Sequence, residues 1–155
     1  MLTNHDLFRM SRLNGVKIDN IVAKNQLNTI KIKTNMNLII NLETITPTNN
    51  KSGTHWTALV KRKDECVYMD SFGAMPPMEV IKWCKTNKLS YNGYIVQEIQ
   101  SENCGSFCFT FLHYVQNCNY RLSDCLNDYI NLFNDNTKDN DDILIRYLQH
   151  YRIKY

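Results

Sequence analysis

The chain has 155 residues, 43% of them hydrophobic and 21% charged, with a formal net charge of +3. That length suits one domain with a substantial core and is too short for two ordinary ones. The composition excludes a disordered chain, and so mild a charge permits an acidic partner without requiring one.

Near the N-terminus, Thr3-Asn4-His5-Asp6 has the form of a capping box. It opens a short helix through about Leu13, which Asn14-Gly15 ends. These first residues carry no apolar signal-peptide core. Residues 18–33 are ambiguous, although the alternating Ile30 and Ile32 suggest an extended segment. Leu38–Leu42 reads as a buried strand, far too short to span a bilayer, and a polar loop, "TPTNNKSG", follows. "HWTALVKR" and "CVYMDSF" are strand-like runs around the charged "KDE" and make a β-hairpin. "PPMEVIKWCKTNK" reads as a helix with a proline near its first position. Tyr91-Asn92-Gly93 is a turn, and "YIVQ" a further short strand. From Gly105 onward, apolar residues at 107, 108, 111, 112 and 115 have helical spacing with one buried face. The tail carries an acidic, Asn-rich loop around Asp135 to Asp142 and a last helix, "ILIRYLQHY". The expected architecture is α+β: a single domain over 1–155, with a central mixed sheet flanked by helices.

Six cysteines, at 66, 84, 104, 108, 118 and 125, are scattered without a Cys-x-x-Cys pair. His113 near Cys108 and Cys118 is a poor match to a zinc site, so neither metal nor cofactor is expected. Without a secretion signal, disulfides are not expected, and most of these thiols read as reduced and buried. The chain reads as intracellular, not secreted and not membrane-bound. Cys108, Phe111, His113, Trp83 and Cys84 read as packing residues. Lys82, Lys85, Lys88 and the lysines of "VKRK" read as a solvated face.

Cys104 stands where a loop ends and a helix begins. It is either a small buried hydrophobe or a nucleophile whose thiolate the helix N-terminus stabilises. The hairpin bears on that choice. A two-residue turn centred on Lys63-Asp64 puts Asp70 opposite Thr57, on the same face as His55 and diagonal to it. A bulge in the turn would change that parity. Gln97, at the end of "YIVQ", reaches the same edge, and its amide with the Cys104 N–H would make an oxyanion hole. Gln100 is its rival.

The ordered set "GTHWTALV", "VYMDSFG", "VQ" seven residues before "CG", then "FCFTFLH" resembles the adenovirus-type endopeptidases. More widely it is similar to the cysteine proteases specific for ubiquitin-like proteins, including those of viruses and virus-like mobile elements. The likeness runs from about Asn41 to Val115, half of the chain; the C-terminal forty residues match no pattern. It implies a cysteine endopeptidase in which Cys104 attacks, His55 is the base, Asp70 orients it and Gln97 helps stabilise the oxyanion. It further implies cleavage beside small residues, chiefly glycine, with Trp56 near a narrow cleft. The implied substrates are capsid or core precursors, processed during virion maturation in host cytoplasm or a virus factory, or inside the virion. A monomer is expected, and a peptide or nucleic-acid activator is left open. Asp70 stands where adenovirus enzymes have glutamate and the desumoylating branch aspartate. Asn103 stands where that branch has aspartate. The alternatives are an isopeptidase removing ubiquitin-like modifiers and a catalytically idle binding module of the same fold.

Overall fold

In the computed structural model, residues 1–44 and 55–155 are described; "TPTNNKSG", with Gly53 of the histidine motif, lies outside the described residues. Helix α1 (Asn4–Asn14) is opened by the capping box, in which the Asp6 N–H donates to Thr3 Oγ1 at 3.2 Å and the Thr3 N–H to Asp6 Oδ2 at 2.9 Å. Gly15, at φ 62°, closes it in the left-handed region that glycine enters without a Cβ penalty.

Strands β1 (Asn20–Ala23), β2 (Asn35–Asn41), β3 (Trp56–Arg62), β4 (Glu65–Met69) and β5 (Leu89–Tyr91) form one mixed sheet in that spatial order. The outer pairs β1–β2 and β4–β5 are parallel, and the central pairs are antiparallel. Both faces are covered, so the strands read as nearly continuous apolar runs. Ile39, Ala58, Val60, Val67 and Met69 face a core shared with α1 and with three further helices. These are α3 (Cys104–Gln116), α4 (Leu122–Ile130) and α5 (Asn140–His150). Leu38, Ile40, Leu59 and Tyr68 face the other way, under α2 (Met78–Cys84) and a 3-10 turn at Lys24–Thr29.

The β3–β4 register runs from Ala58↔Met69 to Arg62↔Glu65, leaving Lys63-Asp64 as a two-residue turn with Lys63 at φ 55°. No bulge intervenes, and the parity expected for His55 and Asp70 holds.

Several expectations need correction. "YIVQ" is not a strand; the sheet's last member is Leu89–Tyr91. Its backbone is satisfied without a ladder: the Val96 and Gln97 N–H groups both donate to the Ser71 carbonyl, at 2.8 and 3.0 Å. Ile30 and Ile32 lie outside any strand, and the strand of that region is β1. Helix α2 stops at Cys84, where Lys85 turns left-handed at φ 49°. Helix α4 has no counterpart among the expected elements, and the acidic loop is partly helical, since α5 begins at Asn140. Helix α3 is buried on every side from Cys104 to Leu112, not on one face. Cys118 and Cys125 form a disulfide, against the expectation of reduced thiols; the turn from α3 into α4 brings their Cα atoms to 6.4 Å.

Candidate active site

His55 immediately precedes β3 and Asp70 immediately follows β4, so the open end of the hairpin carries both. His55 Nε2 lies 2.7 Å from Asp70 Oδ1, with the carboxylate 1% and the imidazole 15% exposed. Asp70 Oδ1 also accepts the Phe72 N–H at 2.8 Å, and the Phe72 ring stacks on His55 with centroids 4.7 Å apart.

Because the ladder ends at Met69, the backbone of Asp70 needs other partners. Asn92 supplies them: its Oδ1 accepts the Asp70 N–H at 3.0 Å and its Nδ2 donates to the Asp70 carbonyl at 2.6 Å. The same Nδ2 donates to the Tyr94 carbonyl at 2.9 Å, joining the Asp70 turn to the next loop. Gly73 completes that junction. At φ 72°, a Cβ there would lie 2.6 Å from the Tyr94 carbonyl carbon, so only glycine lets the two backbones touch.

Cys104 is the first residue of α3 and is 2% exposed. With His55 Nε2 committed to Asp70, the buried Nδ1 has no conventional hydrogen-bond partner, and the imidazole interacts with the Cys104 thiol. Burial alone would depress the His55 pKa; Asp70 and Cys104 outweigh it and raise it to about 9. Burial would raise the Cys104 pKa, but His55 and the backbone N–H groups of Trp56 and Gly105 bring it below the ordinary thiol value. Opposite shifts in two interacting groups favour a thiolate–imidazolium pair, and the helix N-terminus adds to that preference. Cys108, one turn further on, is fully buried and its pKa is pushed well up.

Trp56 lies under this junction and is only 1% exposed; its Nε1 donates to the Leu2 carbonyl at 3.0 Å. A Cβ on Gly105 would sit 3.2 Å from Leu2 Cβ and 3.3 Å from Trp56 Cδ1, so glycine lets α3 start close against both.

Gln97 is 1% exposed. Its Oε1 accepts from Ser71 Oγ at 2.6 Å and its Nε2 donates to the Ser101 carbonyl at 2.6 Å, leaving the second amide hydrogen unassigned. Gln100 is exposed on the turn that follows. The structure thus pairs His55 with Asp70, sets Cys104 close enough to the imidazole for each to shift the other's pKa, and ties Gln97 to the same region through the residue after Asp70. Sequence reasoning missed the roles of Ser71 and Asn92. Asn92-Gly93 gave only a turn signal, which does not say whose backbone the amide will hold.

The fold has solved counterparts. The chain superposes on the ASFV pS273R protease with a TM-score of 0.56 at 14% identity, over 96% of this chain and 64% of that one. A central domain of the Lpg1148 protein from Legionella pneumophila matches at 0.50 and 13% identity, over 98% of this chain and 96% of that one. The SUMO protease Ulp1, with its catalytic cysteine oxidised to a sulfinic acid, aligns at 0.42 and 13% identity, over 94% of this chain and 76% of that one. The chain spans less than two thirds of the ASFV protease chain. No family model and no curated protein matches the sequence.

Among the described residues, no cluster of His, Cys, Asp and Glu could hold a metal ion, and no helix is long and apolar enough to cross a membrane. A cavity of about 660 Å³ lies on the other face of the sheet, between α2 and the 3-10 turn, and includes none of the four candidate residues.

Proposed function

We propose that this chain is a cysteine endopeptidase acting beside glycine, with Cys104 as nucleophile, His55 as acid–base, Asp70 as its orienter and Gln97 as oxyanion donor. The observation that carries the reading is His55 held between a buried carboxylate and a thiol of lowered pKa at the head of α3. The Cys104 thiolate attacks the scissile carbonyl carbon, and the oxygen takes up the negative charge. The Cys104 N–H and the second Gln97 N–H stabilise it. The His55 imidazolium gives its proton to the leaving amine and then, as a neutral base, activates the water that releases the acyl group. Asp70 keeps Nε2 protonated, so that Nδ1 faces the sulfur.

A nucleophilic residue only 2% exposed favours substrates that reach it in a thin extended strand, which supports glycine at the cleavage point. The motif order, together with a fold shared with a viral protease, supports capsid or core precursors as substrates. The test uses quenched peptides with glycine flanking the scissile bond. Cys104→Ala abolishes turnover, by about 10⁶-fold, while leaving the fold intact. A thiol probe labels Cys104, through its thiolate, ahead of the other free thiols Cys66, Cys84 and Cys108. No turnover together with no preferential labelling makes the chain a binding module. Cleavage of a modifier conjugate, with none of a capsid precursor, moves the substrate to ubiquitin-like proteins.

A further inference from the structure

From Asn92 to Asn103 the chain has neither helix nor strand, yet it carries Gln97 and leads into Cys104. Ser71 holds this loop from the sheet side. On its other side stands the head of α5, in the C-terminal part that matches no family pattern. Asn140, fully buried, donates from Nδ2 to the carbonyl of Val96, the residue before Gln97, at 2.8 Å. The same amide donates to the Asn134 carbonyl and accepts the Asn134 N–H, each at 2.8 Å. Asp141 Oδ1 accepts from Ser101 Oγ at 3.0 Å. That hydroxyl oxygen in turn accepts the Asn103 N–H at 3.2 Å, and the Ser101 carbonyl accepts from Gln97 Nε2 at 2.6 Å.

We infer that Asn140 and Asp141 are positioning residues for the oxyanion side of the site, acting through the Val96 and Ser101 backbone on Gln97. The inference rests on the protease reading above. Neither residue touches substrate. A buried amide whose two N–H groups grip two separate carbonyls fixes where the loop begins. The Asp141–Ser101 bond fixes the carbonyl against which the Gln97 amide is aimed. An oxyanion donor acts only when its direction is set before the charge develops, so slack in this support lowers turnover and spares substrate binding.

Asp141 and Asp142 share the first turn of α5, but Asp142 is exposed, which makes it the control. In the full chain, Asp141→Ala lowers kcat about tenfold with KM within about twofold, a fraction of the loss for removing an oxyanion donor outright. Asp142→Ala stays at the wild-type rate. Asp141→Asn, which keeps the acceptor, restores most of the loss. Because Asp141 acts through Gln97, Asp141→Ala adds nothing in a Gln97→Ala background. Amide exchange over residues 96–103 quickens in Asp141→Ala and in Asn140→Ala, and not in Asp142→Ala. Unchanged kcat and exchange in Asp141→Ala, with Gln97→Ala impaired, overturn this inference alone. So does an Asp141→Ala loss that multiplies fully with that of Gln97→Ala. A wild-type protein that cleaves nothing overturns the protease reading and this inference with it.

Discussion

On one side of Cys104, His55 and Asp70 ride on a hairpin of seven- and five-residue strands whose register is fixed by a two-residue turn. On the other side, Gln97 rides on a loop without regular structure, held by side chains from Ser71, Asn92, Asn140 and Asp141. A ladder sets the hairpin through many equivalent backbone bonds, and Asp70, one residue past its end, adds a clasp from a single side chain, Asn92. An irregular loop depends on a few buried amides and hydroxyls, and each one lost leaves partners unpaired at roughly 1–3 kcal/mol. Under the proposed protease reading, the hairpin side governs protonation and the loop side governs geometry.

Variants on the two sides should fail differently. On the hairpin side, Asp70→Asn keeps the fold and a hydrogen bond to His55 but cannot support the imidazolium. Turnover should fall roughly 10²–10³-fold, less than the ~10⁴-fold typical of serine triads because a thiol ionises more readily. Steady-state kinetics with circular dichroism check this, and unchanged activity removes Asp70 from the mechanism.

On the loop side, Gln97→Ala should lower kcat by about 10²–10³-fold with little change in KM, while Gln100→Ala stays near wild type. The reverse outcome would displace Gln97 and leave Cys104, His55 and Asp70 in place.

The pH profile separates the sides further. With the His55 pKa raised to about 9, kcat/KM should fall as pH climbs through that value and His55 loses its proton. Its contribution to stability has the same sign, being full below the ordinary 6.5 and lost as pH rises through about 9. Asp70→Asn should move the alkaline limb to lower pH; Gln97→Ala should leave it where it is. A limb shifted equally by both would erase the distinction.

Asn92 belongs to both sides, since it grips Asp70 and Tyr94. Asn92→Ala should cost about 1–3 kcal/mol, seen as a Tm lower by several degrees, with only a several-fold loss of rate. A Tm equal to wild type would show that the hairpin end holds itself.

The hairpin side was legible because strand parity is strict: once Lys63-Asp64 is the turn, Asp70 must fall on the His55 face. The start of α3 was legible from its apolar spacing. "YIVQ" was not, because a short apolar run has no period long enough to separate strand from loop, and Asn140, which holds Val96, lies 44 residues away. Helix α4 did leave a signal in Leu122, Cys125, Leu126 and Tyr129, at helical spacing, but the Asn- and Asp-rich residues around it read as loop. The Cys118–Cys125 pairing had none, since cysteines seven apart meet only if the chain turns between them.

That disulfide has a practical side. A thiol enzyme is ordinarily handled in reductant to keep its nucleophile unoxidised, and thiolate reductants exchange with accessible disulfides as well. Cys118 is only half-buried, so the buffer that protects Cys104 also attacks the link between α3 and α4. Rates measured in strong reductant then belong to a dithiol form of the chain. A labelling map made under those conditions must account for six thiols, where the oxidised form offers four.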